Sequence, residues 1–150
     1  MSLIVGVEYC KTDANGRFKL PVAFIKQLDL ASDNRFFIRR SIYNTYLELF
    51  TYASFQEEVK KLQEKLNPYD PEAKRLYRRY IEGNMIELDS VDRLNIPTSL
   101  RQDANIDKEI VVVGSGDFIE IWDATTFKNI ESDGFDYKAV AKNLLGNSKE

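Results

Sequence analysis

The chain has 150 residues, 43% of them apolar, which is the size and composition of one domain with a substantial core. Charged residues make up 30%, with 7 Gly, 4 Pro and 1 Cys, which excludes collagen-like, low-complexity and disulfide-scaffold compositions. The net charge of −3 is unevenly placed, +2 over residues 1–52, +1 over 53–82 and −6 over 83–150, so the mildly basic front half can face an anion while the acidic back half faces elsewhere.

In chain order, residues 3–9 read as a strand leading into a turn at 13–16, where Asn15 and Gly16 both tolerate positive φ. Phe18 and Leu20 alternate with polar residues as a half-buried strand, and Pro21 then stands where a first helical residue needs no N–H. Phe24 and Leu28 recur at helical spacing, and strands are predicted over 35–40 and 46–50. Thr51 is the expected N-cap of a long helix with Phe55, Val59, Leu62 and Leu66 on one face, ending near Asn67 and Pro68. A second helix spans about 70–82. Strand 85–88, a turn at 89–92 that puts Asp92 in the left-handed region, Leu94 and Ile96, Pro97, Leu100 and Ala104, strands 109–113 and 118–122 and an N-cap at Asp123 then repeat the earlier order. Residues 137–145 form a small terminal helix closed by Gly146.

This order reflects an internal repeat. DANGRFKLPVAFIKQL (13–28) aligns without gaps on DSVDRLNIPTSLRQDA (89–104) at an offset of 76, and YLELFTYASF (46–55) aligns on FIEIWDATTF (118–127) at an offset of 72. The chain is one unit written twice, with units at 1–52 and 83–128, a helical linker pair at 53–82 and a C-terminal tail at 129–150. Each β-rich copy buries little alone, so an α+β fold is expected in which the two pack face to face as one pseudo-two-fold barrel.

Chemistry concentrates in the turns. Asp13 can accept hydrogen bonds from N–H groups of its own turn, while Arg17 projects a planar fork suited to a phosphate or to the O6/N7 edge of guanine. Lys11, Arg17 and Lys19 alternate along a presumed hairpin and, with Lys26, form a basic patch. Alternatively, Asp13 with Arg17, and Asp89 with Arg93, simply pair across the hairpin base. Arg17, between Lys11 and Lys19, is expected to see a more favourable potential towards phosphate than Arg93 beside Asp92.

Other features read as structural. Gly114, Ser115 and Gly116 are followed by no Lys-Ser/Thr and form a hairpin turn rather than a phosphate loop. The aromatics are mostly core, the basic run Lys74, Arg75, Arg78 and Arg79 is a solvated or subunit-contact face, and Cys10 is a small apolar strand residue. Without histidine, Ser–His and Cys–His nucleophile systems are excluded, and a metal site has to be all-carboxylate. No carboxylate pair has a spacing that singles it out, so neither enzyme activity nor a metal or cofactor is expected. The longest apolar runs, such as 110–113, fall far short of the roughly 20 residues of a membrane span. The N-terminus has no basic stretch followed by an apolar one, so a cytosolic protein with no membrane partner is expected.

The paired motif D-x-x-x-R, hydrophobic, x, hydrophobic, Pro, with the helical pair between its copies and EIW near the end of the second, resembles the MraZ family of double AbrB-like proteins over about residues 4–128. The resemblance implies a cytoplasmic, nucleoid-associated transcriptional regulator of the division and cell-wall gene cluster. It further implies a homo-oligomeric ring that presents its turns to duplex DNA with repeated promoter elements. The DNA-binding residues it implies, together with the turn chemistry, are Lys11, Asp13, Asn15, Arg17, Lys19, Asp89 and Arg93. The family's first motif is usually D-x-K-G-R, where Asn15 replaces the lysine, and its second usually has Gly where Asp92 stands. The competing function is an oligomeric scaffold that uses the same barrel without DNA; salt-dependent duplex binding separates the two.

Overall fold

The computed structural model describes residues 3–43 and 45–146. The first repeat supplies β1 (Val7–Lys11), β2 (Arg17–Lys19), the short helix α1 (Val22–Ile25), β3 (Arg35–Arg40) and β4 (Leu47–Thr51). A helical pair follows, α2 (Tyr52–Lys65) and α3 (Pro71–Tyr80). The second repeat gives β5 (Asn84–Glu87), β6 (Arg93–Asn95), α4 (Thr98–Asp103), β7 (Glu109–Gly114), β8 (Ile119–Asp123) and α5 (Ala124–Glu131). The expected terminal helix ends early: α6 (Tyr137–Ala141) runs into one π-helical turn, Lys142–Gly146, and the end of the expected tail, 147–150, lies outside the described residues.

The caps follow from side-chain chemistry. Thr51 accepts from the N–H of Ser54, Asp123 from that of Thr126 and Asp70 from that of Glu72, each satisfying an orphan donor of a first helical turn. Pro21 and Pro97 are not first helical residues. With ψ of 143° both are extended N-cap residues, and their helices start one position later. Strand β1 starts later than residue 3 because Gly6, at φ +118°, bends the chain, leaving Ile4 in an isolated bridge to Gly116.

All strand pairs are antiparallel, and the main sheet runs β1-β7-β8-β4-β3-β5. The first strand of each repeat has crossed to the other: β1 pairs with β7, and β5 with β3. The sheet does not close into the expected barrel, because β1 and β5 lie at opposite edges with four strands between them. The remaining strands, β2 and β6, form a separate two-stranded ribbon centred on Phe18 opposite Leu94.

The ribbon packs on one face of the sheet. Phe18, Leu20, Leu94 and Ile96 join Phe24 and Leu100 of the short helices against Phe36, Ile38, Leu47, Leu49, Ile110, Val112, Ile119 and Ile121. Each such fully buried side chain contributes about 1.5–3 kcal/mol. On the opposite face, α2 sets Phe55 on Phe37 and Phe50, while α5 brings Ala124 and Phe127 to Val111 and Trp122. Three layers result, with the ribbon outermost on one side. On the helix-covered face Arg39 Nε donates to Glu48 Oε1 at 2.8 Å, both side chains being nearly buried. The same guanidinium donates to the Tyr80 carbonyl and stacks over its ring, tying the linker's end to the sheet.

Candidate nucleic-acid interface

The two D-x-x-x-R turns are built alike. Asp13 Oδ1 accepts from the N–H groups of Asn15 and Arg17, both at 2.9 Å, and Oδ2 accepts from Arg17 Nε at 2.9 Å. Asp89 accepts from the N–H groups of Val91 and Arg93 at 3.0 and 2.8 Å, and from Arg93 Nε at 3.0 Å. These bonds, led by the arginine's backbone N–H, hold both carboxyls below their ordinary value of 3.8. The pairing across the turn, left open by the sequence, is therefore present in both copies. It engages only Nε: among the described residues Nη1 and Nη2 of Arg17 and Arg93 donate no hydrogen bond, and the side chains are 37% and 39% exposed. The aspartate orients the guanidinium and leaves its outer edge open.

Only one residue per turn is left-handed, Gly16 at φ +86° and its counterpart Asp92 at φ +65°; Asn15 is not. Glycine at position 16 has a second cause. A Cβ there would lie 2.5 Å from Nε of Arg101, whose guanidinium reaches from α4 to the Ile96 carbonyl and the Thr98 hydroxyl. The position equivalent to Arg101 in the first repeat is Ile25, so no guanidinium comes from that position beneath the second turn.

The ribbon brings the turns together. Its register places Arg17 opposite Asn95 and Lys19 opposite Arg93, while Phe18 and Leu94 point into the core. By strand alternation, Arg17, Lys19, Arg93 and Asn95 share the outer face. Arg93 thus has Lys19 as its cross-strand neighbour, a cation that partly offsets the carboxylate of Asp92 beside it in the chain. The presumed hairpin does not form: β1 leaves for the main sheet, where Lys11 pairs with Glu109, and Lys26 caps α1. Neither lysine is on the ribbon. Asn15 and the two aspartates belong to the turns at its ends. Sequence reasoning missed Asn95, which the repeat alignment places on Lys19, and Arg101, for which the alignment carries no signal.

The other features are structural. The N–H groups of Gly114, Ser115 and Gly116 donate to the carbonyls of Gly6, Phe118 and Ile4, so the 114–116 segment is a β7–β8 turn whose amides are already engaged rather than aimed at a phosphate. Phe37 with Phe55, Tyr46 with Trp122 and Phe50 with Phe118 stack with one another. Burial, and then Glu8, pushes the Cys10 thiol up to about 11, so it is protonated at neutral pH. A groove of about 430 Å³ at the start of α2 is lined by Asp29, Asp33, Glu57, Glu58 and Asp117 against Lys61 alone, a surface hostile to polyanions. Among the described residues no helix is long and apolar enough to cross a membrane.

The ribbon thus carries two guanidinium groups, each held at Nε by an acceptor-only carboxylate of its own turn. The family model described as "MraZ protein, putative antitoxin-like" matches residues 80–147. The chain is 33% identical to the transcriptional regulator MraZ of Flavobacterium psychrophilum over 98% of this chain and 94% of that protein. It is 32% identical to that of Christiangramia forsetii over 96% and 94%, and 30% identical to that of Cytophaga hutchinsonii over 100% and 99%. The chain belongs to the MraZ family, whose relatives here carry the name of a transcriptional regulator and not of an enzyme.

Proposed function

We propose that the protein is a sequence-specific DNA-binding transcriptional regulator acting on the promoter of its own division and cell-wall gene cluster, in the cytoplasm at the nucleoid. The observation that carries this reading is the ribbon, on which Arg17, Lys19 and Arg93 stand together in a chain of net charge −3. A two-stranded ribbon fits the major groove, where arginine reads guanine O6 and N7 and lysine takes a phosphate. The relatives' name as transcriptional regulators supports the same reading. In this organisation the units 1–52 and 83–128 supply one strand of the ribbon each, bridged by the helical pair 53–82 and followed by the tail 129–150. One ribbon makes few contacts, so useful affinity comes from a homo-oligomeric ring that presents several ribbons to repeated promoter elements.

The test is a gel shift with the DNA upstream of the protein's own gene against a scrambled duplex, repeated over a range of salt. Arg17→Ala and Arg93→Ala should each cost about 1–3 kcal/mol per engaged ribbon and relax specificity. Lys19→Ala should weaken both duplexes alike and flatten the salt slope by about one ion. A folded, oligomeric Arg17→Ala/Arg93→Ala protein that binds like the parent overturns the ribbon as the DNA surface, a parent that treats both duplexes alike overturns sequence specificity, and a parent that binds neither duplex at low salt leaves the scaffold.

A further inference from the structure

We infer that Asn95 reads adenine, and that the difference between Asn95 and Lys19 gives the ribbon an asymmetric target; the inference rests on the DNA-binding reading above. Residues 19 and 95 occupy the same place in the two repeats, as do Arg17 and Arg93. The pairing crosses them, with Asn95 opposite Arg17 and Lys19 opposite Arg93. One end of the ribbon therefore offers a guanidinium and a carboxamide, the other a guanidinium and an ammonium.

Among the described residues the Asn95 side chain has no partner. The residue stands in the ladder that continues through the Ile96 N–H to the Gly16 carbonyl, where asparagine is a poor strand former. Its side chain is exposed and makes no hydrogen bond among the described residues, unlike Asn34, which donates to the Leu88 carbonyl. An amide presents a donor and an acceptor side by side, the pattern that matches adenine N6 and N7. Residues opposed across a ribbon have Cβ atoms about 4.5–5.5 Å apart. That is between one and two base steps of about 3.4 Å, so Arg17 and Asn95 address guanine and adenine in adjacent or near-adjacent pairs. At the other end Lys19 supplies charge beside Arg93 with no demand for adenine.

Selection of bound sequences from a random duplex library compares the parent with Asn95→Ala and Asn95→Lys. The parent should enrich a site with adenine beside one of two guanines, preferred about five- to a hundredfold. Asn95→Ala, a surface change, should keep the guanines and lose the adenine, and Asn95→Lys should enrich a palindrome. Replacing that adenine by 7-deazaadenine should weaken the parent and leave Asn95→Ala unaffected. If Asn95→Ala enriches the parent's site with the same adenine preference, this inference is overturned and the DNA-binding reading stands. If the parent enriches nothing over the input, both are overturned.

Discussion

Gly16→Ala tests how the first turn is held. At φ +86° a Cβ costs about 1–2 kcal/mol, offset by about 0.4–1 kcal/mol from the restricted unfolded chain. The new methyl group would lie 2.5 and 2.7 Å from Nε and Cζ of Arg101 and 2.9 Å from the Ile96 carbonyl. The guanidinium can swing away, but it then gives up its bonds to the Ile96 carbonyl and the Thr98 hydroxyl, worth about 0.5–1.5 kcal/mol each. The carbonyl cannot move without shifting the ribbon, since the adjoining Ile96 N–H donates to the Gly16 carbonyl. A loss of about 2–4 kcal/mol is expected from these contributions together. Urea denaturation should show it as a lower midpoint at unchanged slope. In an Arg101→Ala background the cost should fall to the net backbone contribution, about 0–1.6 kcal/mol, together with the contact to the Ile96 carbonyl. A loss under about 0.5 kcal/mol, or the same loss in both backgrounds, refutes the account of Arg101 as the residue that demands glycine.

The second turn has no arginine at the matching position, so Asp92→Gly should relieve the left-handed strain at φ +65° and stabilise the fold by about 0.5–1 kcal/mol in the same assay. Arg39→Ala should cost about 3–5 kcal/mol, because Glu48, 4% exposed, is left buried without its partner; Arg39→Met with Glu48→Leu should cost far less. Asp13 and Asp89 have folded values below 3.8, so their contribution is complete at neutral pH and is lost as pH falls below 3.8 through the folded values. The stability difference between the parent and Asp13→Asn should therefore vanish in strong acid, and a difference that persists at pH values where the parent carboxyl is protonated contradicts the assignment.

Local order was legible in the sequence where one residue or one period decides it. Thr51 and Asp123 cap their helices as read, and position 92 is left-handed although it is not glycine. Spacing of period two says which residues share a face, but it does not say which strand lies alongside. Alternation alone sets Lys11 beside Arg17 and Lys19 on a hairpin, which requires β1 to pair with its neighbour β2; β1 instead pairs with β7. The same gap explains the open sheet in place of a barrel. It also hid the proximity of Lys19 to Arg93, which are far apart in the chain and adjacent across the ribbon. Arg101 was illegible because its role depends on contact with a glycine in the other repeat, at a position where the first repeat carries Ile25.

The exchange of strands also sets a timetable for synthesis. Val7 pairs with Val113, so β1 has no partner until a residue 106 positions later has been made. At about 5–20 residues per second the first strand waits on the order of 5–20 s on the ribosome. Neither half can finish first and then dock the other; the sheet completes only when nearly the whole chain has emerged. A nascent chain stalled after α3 exposes β1 with Val7 and Tyr9 along an unpaired edge, which makes it a natural client for chaperones.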